Sequence, residues 1–279
     1  MFKSLLDYLK PNWLHPLRLP HALLYGKFTT RYLWTLDKIA AHSPRPITDY
    51  IAHTYHGKVV RLEDARKLVS AHSEVEARNL ERVIPYRHAR DLILKSPDHI
   101  LAYQCPCRAL RKNPCCPTDV CLVVGEPFVD GLSLLQPRRS RRISQGEAVA
   151  IIEAEEERGH IHTAWFKDVL LDRFYVICNC CKCCCTGMRA LKDYGIPMVA
   201  PSGYVPQVSQ GCTGCGVCAQ LCPFGAMGMN GDRAEVARER CFGCGLCQSH
   251  CPPAAITLQR DPDKGEPLDI DYIAGSLQT

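Results

Sequence analysis

The chain has no cysteine in its first 104 residues, no run of 18 apolar residues, and no glycine-rich nucleotide fingerprint leading from a strand into a helix. Without such an apolar run, no transmembrane segment is expected. Residues Met1 to Pro20 lack a continuous apolar stretch and a small-residue cleavage site, so they do not read as a secretory leader. The expected compartment is therefore cytoplasmic and reducing, where abundant cysteine signals metal and not a disulfide scaffold. No Ser-His-Asp arrangement stands out. The net charge of +5 is modest, and neither a nucleic-acid-binding fold nor an aromatic stacking platform is recognisable, so no nucleic acid is expected as a partner. With 46% hydrophobic and 23% charged residues, the composition is that of a globular protein.

What is present is cysteine, 19 of 279 residues, with eleven between Cys105 and Cys185 and eight between Cys212 and Cys251. The distribution divides the chain into a mostly helical N-terminal region (1–98), a cysteine-rich domain (99–204), a third segment (205–258) and an acidic, extended tail (259–279). The expected fold class is α+β. In the first region Leu62, Ala65, Leu68, Val69, Val75, Leu80 and Val83 recur at three- and four-residue spacings and predict helix over 61–83, continuing in the same style from Tyr86 to Leu94. Residues 1–34 mix aromatics (Phe2, Tyr8, Trp13, Tyr25, Phe28, Tyr32, Trp34) with five basic residues and one Asp. They are expected to pack on protein, this chain's or a partner's, with peripheral membrane contact as the alternative. Further on, His99 to Tyr103 predicts a strand, Ser144 to Glu147 a capping box opening a helix that ends at Gly159, and Phe174 to Ile177 a strand delivering Cys178.

The third segment contains C-x2-C-x2-C-x3-C-P twice, at Cys212, Cys215, Cys218, Cys222, Pro223 and at Cys241, Cys244, Cys247, Cys251, Pro252. Three thiolates two residues apart on a tight loop hold three corners of an iron–sulfur cube, and the fourth cysteine, followed by proline, ligates the other cluster. The expected sets are Cys212, Cys215, Cys218 and Cys251 for one [4Fe–4S] cluster, and Cys241, Cys244, Cys247 and Cys222 for the second. A pair of zinc sites is the alternative, but zinc requires neither the crossed ligand nor the duplicated proline. This segment resembles the bacterial two-cluster ferredoxin module. The resemblance implies a small pseudo-twofold β/α fold whose clusters carry single electrons.

Eleven cysteines in the middle domain exceed what core packing uses. Cys105, Cys107, Cys115 and Cys121 make one candidate four-thiolate set. Cys178, Cys181 and Cys184 stand in C-x2-C-x2-C register, with Cys185 as the fourth sulfur and Cys116 or Cys180 as alternatives. One or two further [4Fe–4S] clusters are expected, against zinc or a non-cubane cluster. The zone also resembles uncharacterised dicluster iron–sulfur proteins of anaerobic bacteria and archaea, through C-x-C-R at Cys105 to Arg108, the cysteines around Cys115 to Cys121, and the C-N-C-C-x-C-C-C run at Cys178 to Cys185.

Among weaker candidates, His160 and His162 read as a solvated or hydrogen-bonded surface pair on a strand, with metal ligation or proton shuttling as the alternative. His250 reads as a neighbour tuning the cluster of Cys251. Arg138, Arg139, Arg141 and Arg142 read as a solvated loop or an electron-transfer docking patch. The chain is expected to relay single electrons as a subunit or redox partner of a larger, hetero-oligomeric anaerobic oxidoreductase, and not as a stand-alone enzyme. Two rival readings are a reductase whose middle-domain cysteines build a catalytic cluster, and a metal-stabilised scaffold.

Overall fold

The computed structural model describes residues 18–271 and 273. Phe2, Tyr8 and Trp13 lie outside these residues. Two helices, α1 (Arg18–Ala40) and α2 (Arg45–Thr54), lead into strand β1 (Tyr55–Val60), helix α3 (Leu62–Val69) and the short pair β2 (Val75–Ala77) and β3 (Leu92–Leu94). Then follow β4 (Ile100–Tyr103), a single turn α4 (Pro106–Ala109), β5 (Cys121–Val124), α5 (Phe128–Leu135), β6 (Ser140–Ile143), α6 (Gln145–Glu157), β7 (Ile161–Lys167), β8 (Arg173–Cys180), α7 (Thr186–Tyr194) and β9 (Val199–Ala200). The C-terminal segment comprises β10 (Tyr204–Val208), α8 (Val217–Leu221), β11 (Met227–Asn230), β12 (Arg233–Val236), α9 (Leu246–Ser249) and β13 (Ile256–Arg260).

The class is α+β. A seven-stranded sheet in the order β6-β4-β5-β8-β7-β1-β9, antiparallel except for the β1–β9 pair, forms the centre. It takes β1 from one side of residue 98 and β4 onward from the other. β1 and β7 are buried along their whole length, because helices cover both faces of the sheet. Alternation sorts the side chains. His162 points to the α6 face, where it meets Glu156, while Thr163 and Trp165 point to the face covered by α1 and α7. Beside Trp165 the β7–β8 register skips Tyr175, since Trp165 pairs with Val176 and Phe166 with Phe174. This bulge leaves Tyr175 as an extra residue whose hydroxyl lies 2.5 Å from that of Tyr25 in α1.

Several elements match their sequence signals. Ser144 Oγ accepts the backbone N–H of Glu147 at the start of α6, Gly159 closes that helix with φ +74°, and β4 runs through Ile100–Tyr103. Elsewhere the structure differs. The helix expected over 61–83 ends at Val69, and Val75–Ala77 pairs antiparallel with Leu92–Leu94 inside the stretch expected to be helical. Burial of those apolar residues against a neighbouring strand overrides their helix-like spacing. The tail, expected to be extended, folds back on the chain: Leu268, Ile270 and Ile273 are buried, and Lys67 pairs with both Asp269 and Asp271.

Trp165 is the keystone of the α1/α7 face. A Cβ on Gly57 would come within 2.8 Å of its ring, and one on Gly187 closer still, so the indole occupies space that only glycine leaves open on β1 and α7. Gly187→Ala is expected to cost about 1–3 kcal/mol by overpacking. Denaturant unfolding of the anaerobic protein measures this, and the loss should shrink when Trp165→Leu is added to the same chain.

Candidate metal centres

All nineteen cysteines are free thiols, and the fold gathers all but one of them into groups. In the C-terminal segment, the turns before α8 and α9 place each motif's first cysteines around tight loops. Glycine is obligatory there. Gly243 has φ +66° and a Cβ on it would run into the Tyr204 carbonyl, and Gly214 has φ +69° with the Asp232 carbonyl 2.6 Å from the same point. Backbone N–H groups donate to the sulfurs: Gly243 to Cys241 at 3.4 Å, Ala226 to Cys222 at 3.2 Å, Ala255 to Cys251 at 3.3 Å and Ala234 to Cys212 at 3.5 Å. Amide donors aimed at sulfur are what an anionic thiolate–metal site requires.

One cavity of about 20 Å³ is lined by Cys241, Cys244 and Cys247 of the second motif together with Cys222 of the first. Burial pushes Cys247 up to about 12 and raises Cys244 well above the ordinary thiol value, so a bound metal must supply the force that deprotonates them. Cys212, Cys218 and Cys251 converge in a small core with Met227 and Ile256, which Cys247 and Cys222 join from the other set. Cys215 is exposed and Cys212 and Cys251 are half-buried, so this set faces the solvent, whereas the first set faces inward.

The middle domain groups its thiols differently from the sequence-based quartets. Cys115 leaves the set with Cys105, Cys107 and Cys121, and joins Cys181, Cys183 and Cys184, whose four sulfurs all lie within 4.8 Å of one another. Burial raises Cys115 to about 11. That spacing is the size of a single tetrahedral ion, where bonds of about 2.3 Å set adjacent sulfurs roughly 3.8 Å apart. A cube spreads its terminal thiolates wider, because each is bonded to a different iron.

The remaining six line one internal cavity. Electrostatic coupling links them in a closed ring: Cys105 with Cys107 and Cys121, Cys121 with Cys178, Cys178 with Cys180, Cys180 with Cys185, and Cys185 with Cys107. The Cys180–Cys185 contact is 3.2 Å. The reason for the regrouping is the strand. β8 continues through Cys180, so Cys178 and Cys180 share one face at a spacing of two, in place of the three-residue spacing that a ligand loop would use. Cys121 on β5 sits directly opposite Cys178, and the α4 turn and the start of α7 add Cys105, Cys107 and Cys185. The acidity of the thiols alternates around the ring. Hydrogen bonds from neighbours lower Cys107 and Cys180 well below the ordinary value and Cys121 to about 6, while Cys105, Cys178 and Cys185 are held well above it. Exposed Cys116 belongs to neither group.

Arg108 fastens both groups. It is buried, its Nη2 donates to Glu155 Oε2 at 2.5 Å and to the Asn179 carbonyl at 3.2 Å, and its Nη1 donates to the Pro117 carbonyl. One guanidinium thus ties the Cys105–Cys107 turn to β8 and to the loop carrying Cys115. On the reverse side of β8, the Asn179 side chain donates to the Val120 carbonyl at 2.7 Å and meets His162 at 2.7 Å.

The weaker candidates resolve as structural groups. His162 is buried between Asn179 and Glu156, and His160 hydrogen-bonds to Glu155, so neither is a solvated surface residue. Of the arginine run, Arg138 and Arg139 lie in the turn before edge strand β6, in which Arg141 pairs with Asp119 and Glu147 and Arg142 pairs with Asp130. His250 meets Ser249 Oγ at 3.1 Å and the carbonyl of Leu246 at the same distance. Three residues carried no signal in the sequence. Tyr25, Tyr55 and Tyr175 are buried, joined by their hydroxyls, and line one cavity with the six-thiol ring.

Burial alone would raise the Glu155 carboxyl, but hydrogen bonds from His160 and Arg108 outweigh it and hold the group below the usual carboxylate range. Its stabilising contribution is therefore present at neutral pH and lost as acid carries the pH down through that lowered value. Glu155→Ala, which strands the buried Arg108 charge, is expected to cost about 3–5 kcal/mol in denaturant unfolding, and Glu155→Gln less.

No curated protein matches the chain. Residues 205–252, from the second residue of β10 to the proline after Cys251, match the family described as 4Fe-4S dicluster domain. The C-terminal segment is thus an iron–sulfur electron-transfer domain carrying [4Fe–4S] clusters.

Proposed function

We propose that the chain relays single electrons between a redox partner at its surface and the interior of its middle domain, as a subunit or dedicated partner of a larger oxidoreductase. The observation that carries this reading is the unequal burial of the two ligand sets. Cys212, Cys215, Cys218 and Cys251 would hold the solvent-facing cluster. Cys241, Cys244, Cys247 and Cys222 would hold the inner one, whose cavity already brings together thiols of both motifs. When bound, such clusters supply one-electron chemistry.

The protein's own contacts give the relay a direction. Cys241 and Cys244 belong to the same continuous core as the seven-stranded sheet, and Ser202 Oγ donates to the Gly243 carbonyl at 2.7 Å. Ser249 on α9 donates to Glu156 on α6 at 2.5 Å. Lys182, within the cysteine run of the middle domain, reaches the Gln220 carbonyl on α8, between Cys218 and Cys222. Both motifs are thus braced against the domain that holds the other thiols, and exposed Cys215 leaves the solvent-facing set open to a docking partner. No helix among the described residues is long and apolar enough to cross a membrane.

Cys218→Ala is expected to remove one cluster, about four irons per chain, and to destabilise the C-terminal domain, since ligated metal supplies much of the folding free energy of so small a unit. The same variant should abolish reduction of the inner cluster by an external protein donor. Iron analysis and electron paramagnetic resonance of anaerobic protein decide it: an undiminished iron content, or unchanged reduction of the inner cluster, contradicts the relay.

A further inference from the structure

The six-thiol ring plays no part in the relay just described, and its dimensions exclude the simplest metal site. Cys180 and Cys185 touch at 3.2 Å, but among the described residues no three of the six sulfurs are drawn within 4.8 Å of one another. One ion with metal–sulfur bonds of about 2.3 Å holds opposite sulfurs no more than about 4.6 Å apart. Among the described residues, the one metal-sized group of converging ligands is the quartet of Cys115, Cys181, Cys183 and Cys184, and no ring cysteine is in it. The ring is thus too wide for a single ion. It also lies deep in the molecule: Cys105, Cys121, Cys180 and Cys185 are buried, and Cys107 and Cys178, though half-buried, both line the internal cavity. That cavity, about 70 Å³, is bounded by all six ring cysteines and by Cys181 of the quartet, with Trp165, Tyr25, Tyr55 and Tyr175. It exceeds several times the space one water needs.

We propose that this ring binds a polynuclear iron–sulfide cluster, separate from the clusters of the C-terminal domain, in a chamber walled by the three tyrosines. Six thiolates capping several irons, with inorganic sulfide bridging them in the cavity, account for both the width of the ring and the space within it. Two zinc ions sharing six thiolates would bring no inorganic sulfide, so sulfide analysis separates the two occupants. The three phenols, hydrogen-bonded to one another, wall the chamber and keep water from it. Arg108, one residue from Cys107 and pinned by Glu155, holds the α4 turn that supplies two of the six ligands. None of this rests on the relay reading.

The test is iron, zinc and acid-labile sulfide analysis with Mössbauer spectroscopy of the full chain, produced and purified anaerobically. It compares the wild type with Cys107→Ala/Cys180→Ala, and with Cys183→Ala as a control that touches only the outer quartet. The expected result is iron in excess of the roughly eight atoms of two cubes, with sulfide to match. At least about four of those irons should vanish in the ring variant and persist in Cys183→Ala. Should the ring variant fail to fold, excess iron and sulfide surviving in Cys183→Ala would support the proposal equally, and their loss there would contradict it. Zinc in place of the excess iron, an iron content that the folded ring variant leaves unchanged, or ring sulfurs recovered as disulfides would overturn the proposal. Absence of the C-terminal domain's signals with the ring irons intact would count against the relay and leave this inference standing.

Discussion

The architecture depends on one pairing: Cys121 of β5 lies directly opposite Cys178 of β8 in the middle of a buried sheet. A register slip of one residue would turn Cys178 and Cys180 to the α6 face and bring Asn179 into the chamber. Much of the surrounding structure secures that register. Asn179 is hydrogen-bonded on the reverse face to Val120 and His162, Arg108 ties its carbonyl to Glu155, and Trp165 fits between two glycines on the thiol face. Charged and amide groups are buried on one side of the strand so that sulfur is presented on the other. A buried ion pair is weak evidence for stability in itself. Here its effect is geometric, since it fixes the turn that delivers Cys105 and Cys107.

The C-terminal domain obeys a different rule. Its thiols are set by loops and not by strand alternation, with left-handed glycines admitting close backbone approach and amide N–H groups turned toward sulfur. The two ways of presenting cysteine yield two kinds of site. Loops give two compact sets, one facing solvent and one facing inward, and a strand with its neighbours gives a ring around an internal cavity. The small, converging quartet of Cys115, Cys181, Cys183 and Cys184 is a third kind, built where the strand ends and the chain turns toward α7.

How far this could be read from the sequence follows from the same distinction. The tandem cysteine motifs are local, with ligands three or four residues apart, and spacing alone names them. The capping box at Ser144 and the stop at Gly159 are local as well. The density of cysteine in the middle domain is plain in the sequence, but not the way the fold groups it. Cys178-Asn-Cys180 allows either a loop with ligands at every third residue or a strand with ligands at every second, and only pairing with β5 and β7 decides between them. The tyrosine wall left no trace, because Tyr25, Tyr55 and Tyr175 come from three distant elements and Tyr175 turns inward through a bulge. Likewise the apolar spacing from Val75 to Leu94 is compatible with helix, and tertiary pairing alone makes two of its pieces strands.

The central claim is that these sulfurs hold iron in order to move electrons. An anaerobic reductive titration of the full chain, followed by electron paramagnetic resonance, tests it most directly. The account predicts two reducible centres belonging to the C-terminal domain and at least one more, with a distinct signal, from the middle domain. A colourless protein that accepts no electrons, or one whose only reducible groups are disulfides, would contradict it.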